Sequence, residues 1–142
     1  MDAKAAFDQV MQKGVNMALA TCVDGMPNVR VVTFAYDMKE PNKVYFATFP
    51  GNRKIQEFQN NERVCFVSLP EGELVELQVR CQGTVKLSVR PLAQIAPFFV
   101  AKMPEYQEML DQGADVLLVY EVVFKDAQVT IGISEAQIIQ VT

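Results

Sequence analysis

The spacing of apolar positions changes character several times along the chain. Over residues 2–13, Ala3, Ala6, Phe7, Val10 and Met11 recur at helical spacing. Asp2 stands where an N-cap belongs and Gly14 where a helix stops, so the pattern predicts a short amphipathic helix. From residue 15 the texture becomes β-like. Residues 17–23 and 28–36 flank Asp24-Gly25-Met26-Pro27, and an Asp-Gly pair between β-type runs signals a hairpin. A turn over 37–42 leads to a third strand at 43–48. Phe49-Pro50-Gly51 then breaks the pattern, and residues 52–60 read as a helix with Ile55 and Phe58 on its apolar side. Strands are predicted at 64–69 and 74–89 around the turn at 70–73, with Gly83 marking a bulge or bend. Pro91 and Pro104 open helical stretches that run to Lys102 and Leu110. Residues 116–124 are strongly β-prone, and 129–133 continue them past Lys125-Asp126. Residues 136–141 are ambiguous.

Strands joined mainly by tight turns pair antiparallel, because parallel pairs need crossovers of a dozen or more residues. The expected fold is mainly β with flanking helices: a six-stranded antiparallel Greek-key barrel, in one domain over residues 1–142. The sequence has no repeat, no low-complexity tract and no linker long enough to separate domains.

Composition narrows the chemistry. The chain has 142 residues, 13 Lys and Arg, 17 Asp and Glu, and no histidine. Histidine-based triads, bases and metal sites are therefore excluded. Cys22, Cys65 and Cys81 are odd in number and far apart, which suggests neither a disulfide framework nor a thiolate metal site. They read as buried thiols of a cytoplasmic protein. No apolar run approaches a membrane span, and the first residues lack a secretory layout, so no membrane association is expected. The acidity is concentrated at one end: residues 103–142 hold Lys125 against seven carboxylates, while the first 102 residues are weakly cationic. That balance suits one small anion and lacks the basic stripe that nucleic acid would need.

One segment stands out. Residues 45–54 run from a strand through a Gly-containing turn into a helix with Arg53 and Lys54 in its first turn, where the helix's own positive end disfavours cations. A phosphate would compensate, with Thr48 and Asn52 adding polar contacts. The alternative is a solvated helix surface on which both cations pair with Glu57. Arg30, between Val29 and Val31, either points to solvent or presents a fixed cation to a flat ligand lying against the sheet. Gln78 and Arg80 share a face of the long strand, and either an exposed face or a ligand-facing row fits. Residues 95–109 are apolar enough to cover the barrel or to wall a pocket.

The order of the Asp-Gly hairpin, Arg30-Val31-Val32-Thr33-Phe34, Phe46-Ala47-Thr48, Gly51-Asn52-Arg53-Lys54 and Gln78-Val79-Arg80-Cys81-Gln82-Gly83 resembles the pyridoxamine 5'-phosphate oxidase-like family of flavin-binding split β-barrels. The resemblance covers about residues 14–90. It implies an FMN site at a homodimer interface, with deazaflavin a secondary cofactor. On that mapping Arg53 and Lys54 hold the phosphate, and Thr48 and Asn52 assist. Arg30, Val31, Val32 and Thr33 line the ring or ribityl chain, Ala47 belongs to the same cofactor wall, and Gln78 reaches the other subunit's site. The implied function is a small FMN-dependent oxidoreductase that passes electrons between a small-molecule donor and acceptor, or a flavin carrier or sensor without turnover. The vitamin-forming oxidases end in an Arg-x-His motif. This chain has no histidine, so pyridoxamine phosphate oxidation is not expected.

Overall fold

The structure, a computed structural model, describes residues 1–141. Helix α1 (Ala3–Lys13) is capped by Asp2, whose carboxylate accepts from the Ala5 N–H at 2.8 Å. Strands β1 (Asn16–Val23) and β2 (Met26–Thr33) form a hairpin. Its two turn residues, Asp24 and Gly25, both have positive φ, 52° and 75°. That turn matches the twist of the flanking strands, which is why an Asp-Gly pair sits there.

Strands β3 (Lys43–Thr48), β4 (Arg63–Ser68), β5 (Leu77–Leu87) and β6 (Leu118–Phe124) complete an antiparallel path in the order β2-β1-β4-β5-β6-β3. The path curls until its ends meet. Just past β2, Ala35 exchanges both backbone hydrogen bonds with Tyr45 of β3, at 2.8 and 3.0 Å. Elsewhere β2 and β3 stay unpaired with each other, so the barrel of six strands is split along one seam.

Two further strands extend the sequence expectation. The run after residue 116 breaks at Lys125 into β6 and β7 (Asp126–Ile131), and the ambiguous tail forms β8 (Gln137–Gln140) on β7. On the edge away from β4, strand β5 serves two neighbours: residues 77–80 pair with β7 and residues 83–87 with β6. Gly83 sits at the fork. A Cβ there would fall 2.3 Å from the Val123 carbonyl oxygen, so only glycine lets β6 approach.

Phe7, Val10 and Met11 of α1 join Leu19, Phe46, Phe66, Val79, Val122 and Phe124 in the main core. Helix α2 (Arg53–Asn60) adds Ile55 and Phe58, and Phe58 packs on Phe46 and Tyr120 with ring centroids 5.8 and 5.4 Å away. Helices α3 (Leu92–Lys102) and α4 (Tyr106–Gly113) cover the barrel's other flank. Ile95, Phe99, Tyr106 and Leu110 enclose a second core with Ala35, Tyr45 and Val119, and Phe99 stacks on Tyr106 at 4.5 Å. These helices therefore cover the barrel, and a surface recess of about 460 Å³ opens between them, lined by Leu92, Ala96, Gln107 and Leu110.

Candidate functional site

Between β3 and α2 the chain turns at Gly51, whose φ of 79° is open to glycine at little cost. Asn52 caps α2, its side-chain oxygen accepting from the Lys54 N–H at 3.1 Å. The cap aims Lys54 back across the β3 terminus. Its ammonium donates to the Thr48 hydroxyl at 2.9 Å and, among the described residues, meets no carboxylate. Burial pushes the Lys54 amine below its ordinary pKa, and the nearby Arg30 guanidinium pushes it further the same way. Lys54 thus sits in the field of a second cation.

Arg30 reaches this corner from the hairpin. Of the two readings of its direction, solvent and sheet-bound ligand, neither describes its position fully. In β2 it is Val29 and Val31 that point outward, 62% and 59% exposed, while Arg30 turns in beneath α2. One guanidinium nitrogen donates to the Leu19 carbonyl and the Thr21 hydroxyl, both at 3.1 Å, and the other pairs with Glu57. Glu57 is buried and also accepts from Thr21 Oγ1 and Asn28 Nδ2, each at 3.1 Å. Burial alone would raise its pKa. The bonds from Asn28 and Thr21 and the charges of Arg30 and Arg53 outweigh that and hold the carboxyl below its ordinary range. Arg53 itself is exposed, its Nε 3.9 Å from Glu57.

The corner therefore gathers Arg30, Thr48, Asn52, Arg53 and Lys54 from the sequence-selected residues, and adds Thr21 and Glu57. The others lie apart within one chain. Val31 is on the outer face, Val32 packs against the main core, and Ala47 against the second core. Thr33, three residues beyond Arg30, donates to Asn16 Oδ1 at 2.9 Å. Gln78 lies on a separate recess of about 350 Å³ with Ser68, Glu76, Thr130 and Ile133. Glu57 stood in the sequence only as a surface partner for its helix neighbours. Its contact with Arg30, across 27 residues, had no local signal.

Of the three cysteines expected as buried thiols only Cys81 is buried, while Cys22 and Cys65, on the sheet's outer side, are half-buried. Cys81 is buried and its thiol pKa is raised, first by that burial, while Cys65 is raised by the same cause. All three are free.

An antiparallel barrel split along one seam, with a cluster of cations where β3 enters α2, defines a split-barrel protein. The chain belongs to the pyridoxamine 5'-phosphate oxidase-like family, whose pattern it matches over residues 10–136. Several solved structures share the fold. A protein related to general stress protein 26, of the pyridoxinephosphate oxidase family, from Clostridium acetobutylicum superimposes with a TM-score of 0.70 at 11% identity, covering 99% of this chain and 97% of that one. A FAD-binding protein from Mesorhizobium loti gives 0.66 at 17% identity, covering 91% and 94%. A heme binding protein from Mycobacterium smegmatis gives 0.76 at 12% identity, covering 99% of this chain, which spans 58% of that longer one. No curated protein matches the sequence.

Proposed function

We propose that this protein binds FMN and works as a small FMN-dependent oxidoreductase in the cytoplasm, exchanging electrons between a small-molecule donor and acceptor. Lys54 carries this reading. It is a half-buried ammonium held by Thr48, crowded by Arg30 and free of any carboxylate among the described residues. A phosphate monoester, with roughly −1.5 to −2 charges near neutral pH, relieves that crowding. The donors present fit such a group: an ammonium, a hydroxyl and the exposed Arg53. When bound, the flavin supplies the redox chemistry, while the protein supplies position, charge and access. FMN is preferred to deazaflavin, and haem is not proposed because the chain lacks histidine, its commonest ligand.

Homodimerisation belongs to the same reading. The outer face of the hairpin and β4 carries Val29, Val31, Ala18, Ala20, Cys65 and Val67 side by side. An apolar sheet face of this kind marks an interaction surface. The recess beside Glu57 and Arg53 is about 200 Å³, too small to enclose a flavin, and a second copy would supply the missing wall. Val31→Lys is expected to shift the protein from dimer to monomer in sedimentation velocity. A variant that stays dimeric would move the interface elsewhere.

The test of flavin binding is titration with FMN and riboflavin, followed by quenching of flavin fluorescence. Lys54→Met should weaken FMN by about tenfold or more and leave riboflavin nearly unchanged, the loss expected for one charge-assisted contact. Equal weakening of both would remove the phosphate assignment. Reduction and reoxidation of the bound flavin by nicotinamide donors and small acceptors then separates an oxidoreductase from a carrier.

A further inference from the structure

Glu57 presents a problem for any anion-binding corner. A buried carboxylate within reach of two of the three cations opposes the binding of a phosphate, yet it is held by three side chains at once. The bonds are directional. Thr21 and Asn28 donate to separate Glu57 oxygens, and Arg30 donates to the oxygen shared with Thr21. Arg30 is also fixed from its other nitrogen by Leu19 O and Thr21 Oγ1. Arg30 thus has anchors besides Glu57, and the carboxylate adds the negative charge within reach of Arg30 and Arg53.

We propose that Glu57 is a specificity-determining residue that divides the corner: it reserves Lys54 and Thr48 for the phosphate and turns Arg30 into a nearly neutral donor wall for the uncharged part of the ligand. This rests on the phosphorylated-flavin reading above. Three cations and one carboxylate leave the corner with about two net positive charges, matching one phosphate monoester dianion. Without Glu57 the corner would hold a third, and Arg30 would compete for the phosphate. The carboxylate thus limits phosphate attraction in return for one binding orientation.

The experiment compares the preference for FMN over riboflavin, as the ratio of their dissociation constants, in wild type, Glu57→Gln, Lys54→Met and the double variant. Glutamine keeps the shape and removes the charge. The ratio should rise about threefold to tenfold in Glu57→Gln, as expected for removing one unit charge several ångströms away at a partly solvated site. It should collapse towards one in Lys54→Met and recover in the double variant, where Arg30 takes over. An unchanged or lower ratio in Glu57→Gln, or no recovery in the double variant, overturns the proposal. Gln56→Glu, on the recess shared with Arg53 and Glu57, provides the opposite sign if Glu57→Gln does not fold. A second carboxylate on the same side should lower the ratio about threefold, and equal weakening of both flavins would overturn the proposal. Should wild type bind neither flavin, the flavin reading fails while the division of charge stays testable with inorganic phosphate as the probe. Thermal stabilisation by phosphate that is greater in Glu57→Gln than in wild type supports it, and equal stabilisation overturns it.

Discussion

Two charged corners of the barrel have similar burial and opposite pairing. On the α3 flank, Arg90 donates to Asp37 at 3.0 Å, to Glu40 and to Gln94 at 3.2 Å, and lies over the Tyr45 and Phe98 rings. Lys43 beside it reaches the fully buried Glu121 at 3.1 Å and Glu40 at 3.7 Å, and the Tyr45 hydroxyl donates to Glu40 at 2.7 Å. Arg90 and Lys43 both meet carboxylates, whereas at the α2 corner Arg30 does and Lys54 does not among the described residues. At the α2 corner Lys54 meets a hydroxyl and another cation. The side chains of Arg90 and Arg30 are 23% and 19% exposed, so depth does not separate the corners. Pairing does. A closed ion network ties a turn to a helix, whereas an open one leaves a charge for a ligand to complete. Lys102 is a third arrangement: its Nζ is sealed without a hydrogen-bond partner among the described residues and sits 3.5 Å from the centre of the Phe34 ring.

Breaking the closed corner should have the largest effect on stability. Arg90→Ala strands the Asp37 and Glu40 carboxylates and should cost about 2–4 kcal/mol in denaturant unfolding. Its pH dependence sharpens the point. Burial alone would raise both carboxyl pKa values, but the Lys39 N–H and Arg90 at Asp37, and the Tyr45 hydroxyl and Arg90 at Glu40, hold both below the ordinary range. The unfolded chain binds those protons first as pH falls. The stability from this pairing is therefore present above about pH 4–5 and lost through the lowered folded pKa values, and the gap between wild type and Arg90→Ala should close in acid. A gap independent of pH would mean that Arg90 acts by packing on its two rings.

The sealed cation should give a smaller effect of opposite sign. Burial pushes Lys102 down to about 7, with Glu71 opposing. Between that value and its ordinary 10.5 the unfolded chain holds a proton that the folded chain has released, so wild-type stability rises with pH across that interval. Lys102→Met should stabilise the protein by about 1–3 kcal/mol at pH 7, and the gain should fade towards pH 10. A gain constant with pH would contradict the buried-charge account. The open corner should show the smallest change of all: Lys54→Met should move stability by less than about 1 kcal/mol while removing the FMN preference. A large loss of stability would place Lys54 with Arg90 among structural cations.

The elements whose signals are local were readable in advance. Asp24-Gly25 named its turn, Asp2 named its cap, and the short connections implied antiparallel pairing. Gly83 was marked as a bend, but only its closeness to Val123 shows it to be the fork where β5 changes partner. The tail at 137–140 could not be assigned because its pairing partner, β7, decides its conformation. Within the candidate site, Thr48, Asn52, Arg53 and Lys54 were found together because they sit within seven residues and on one turn.

The sequence by itself determined the cap of the first helix, the hairpin, the antiparallel class, the histidine-free chemistry and the basic turn at 52–54, since each rests on neighbours along the chain. Tertiary structure alone decided which charges cancel. Burial of α2 on β1 brings Glu57 to Arg30 and leaves Lys54 unpaired, and the Ala35–Tyr45 bridge closes the barrel that holds them in place. Charge pairing depends on distance in space, and side chains 27 residues apart acquire that distance only when the sheet curls.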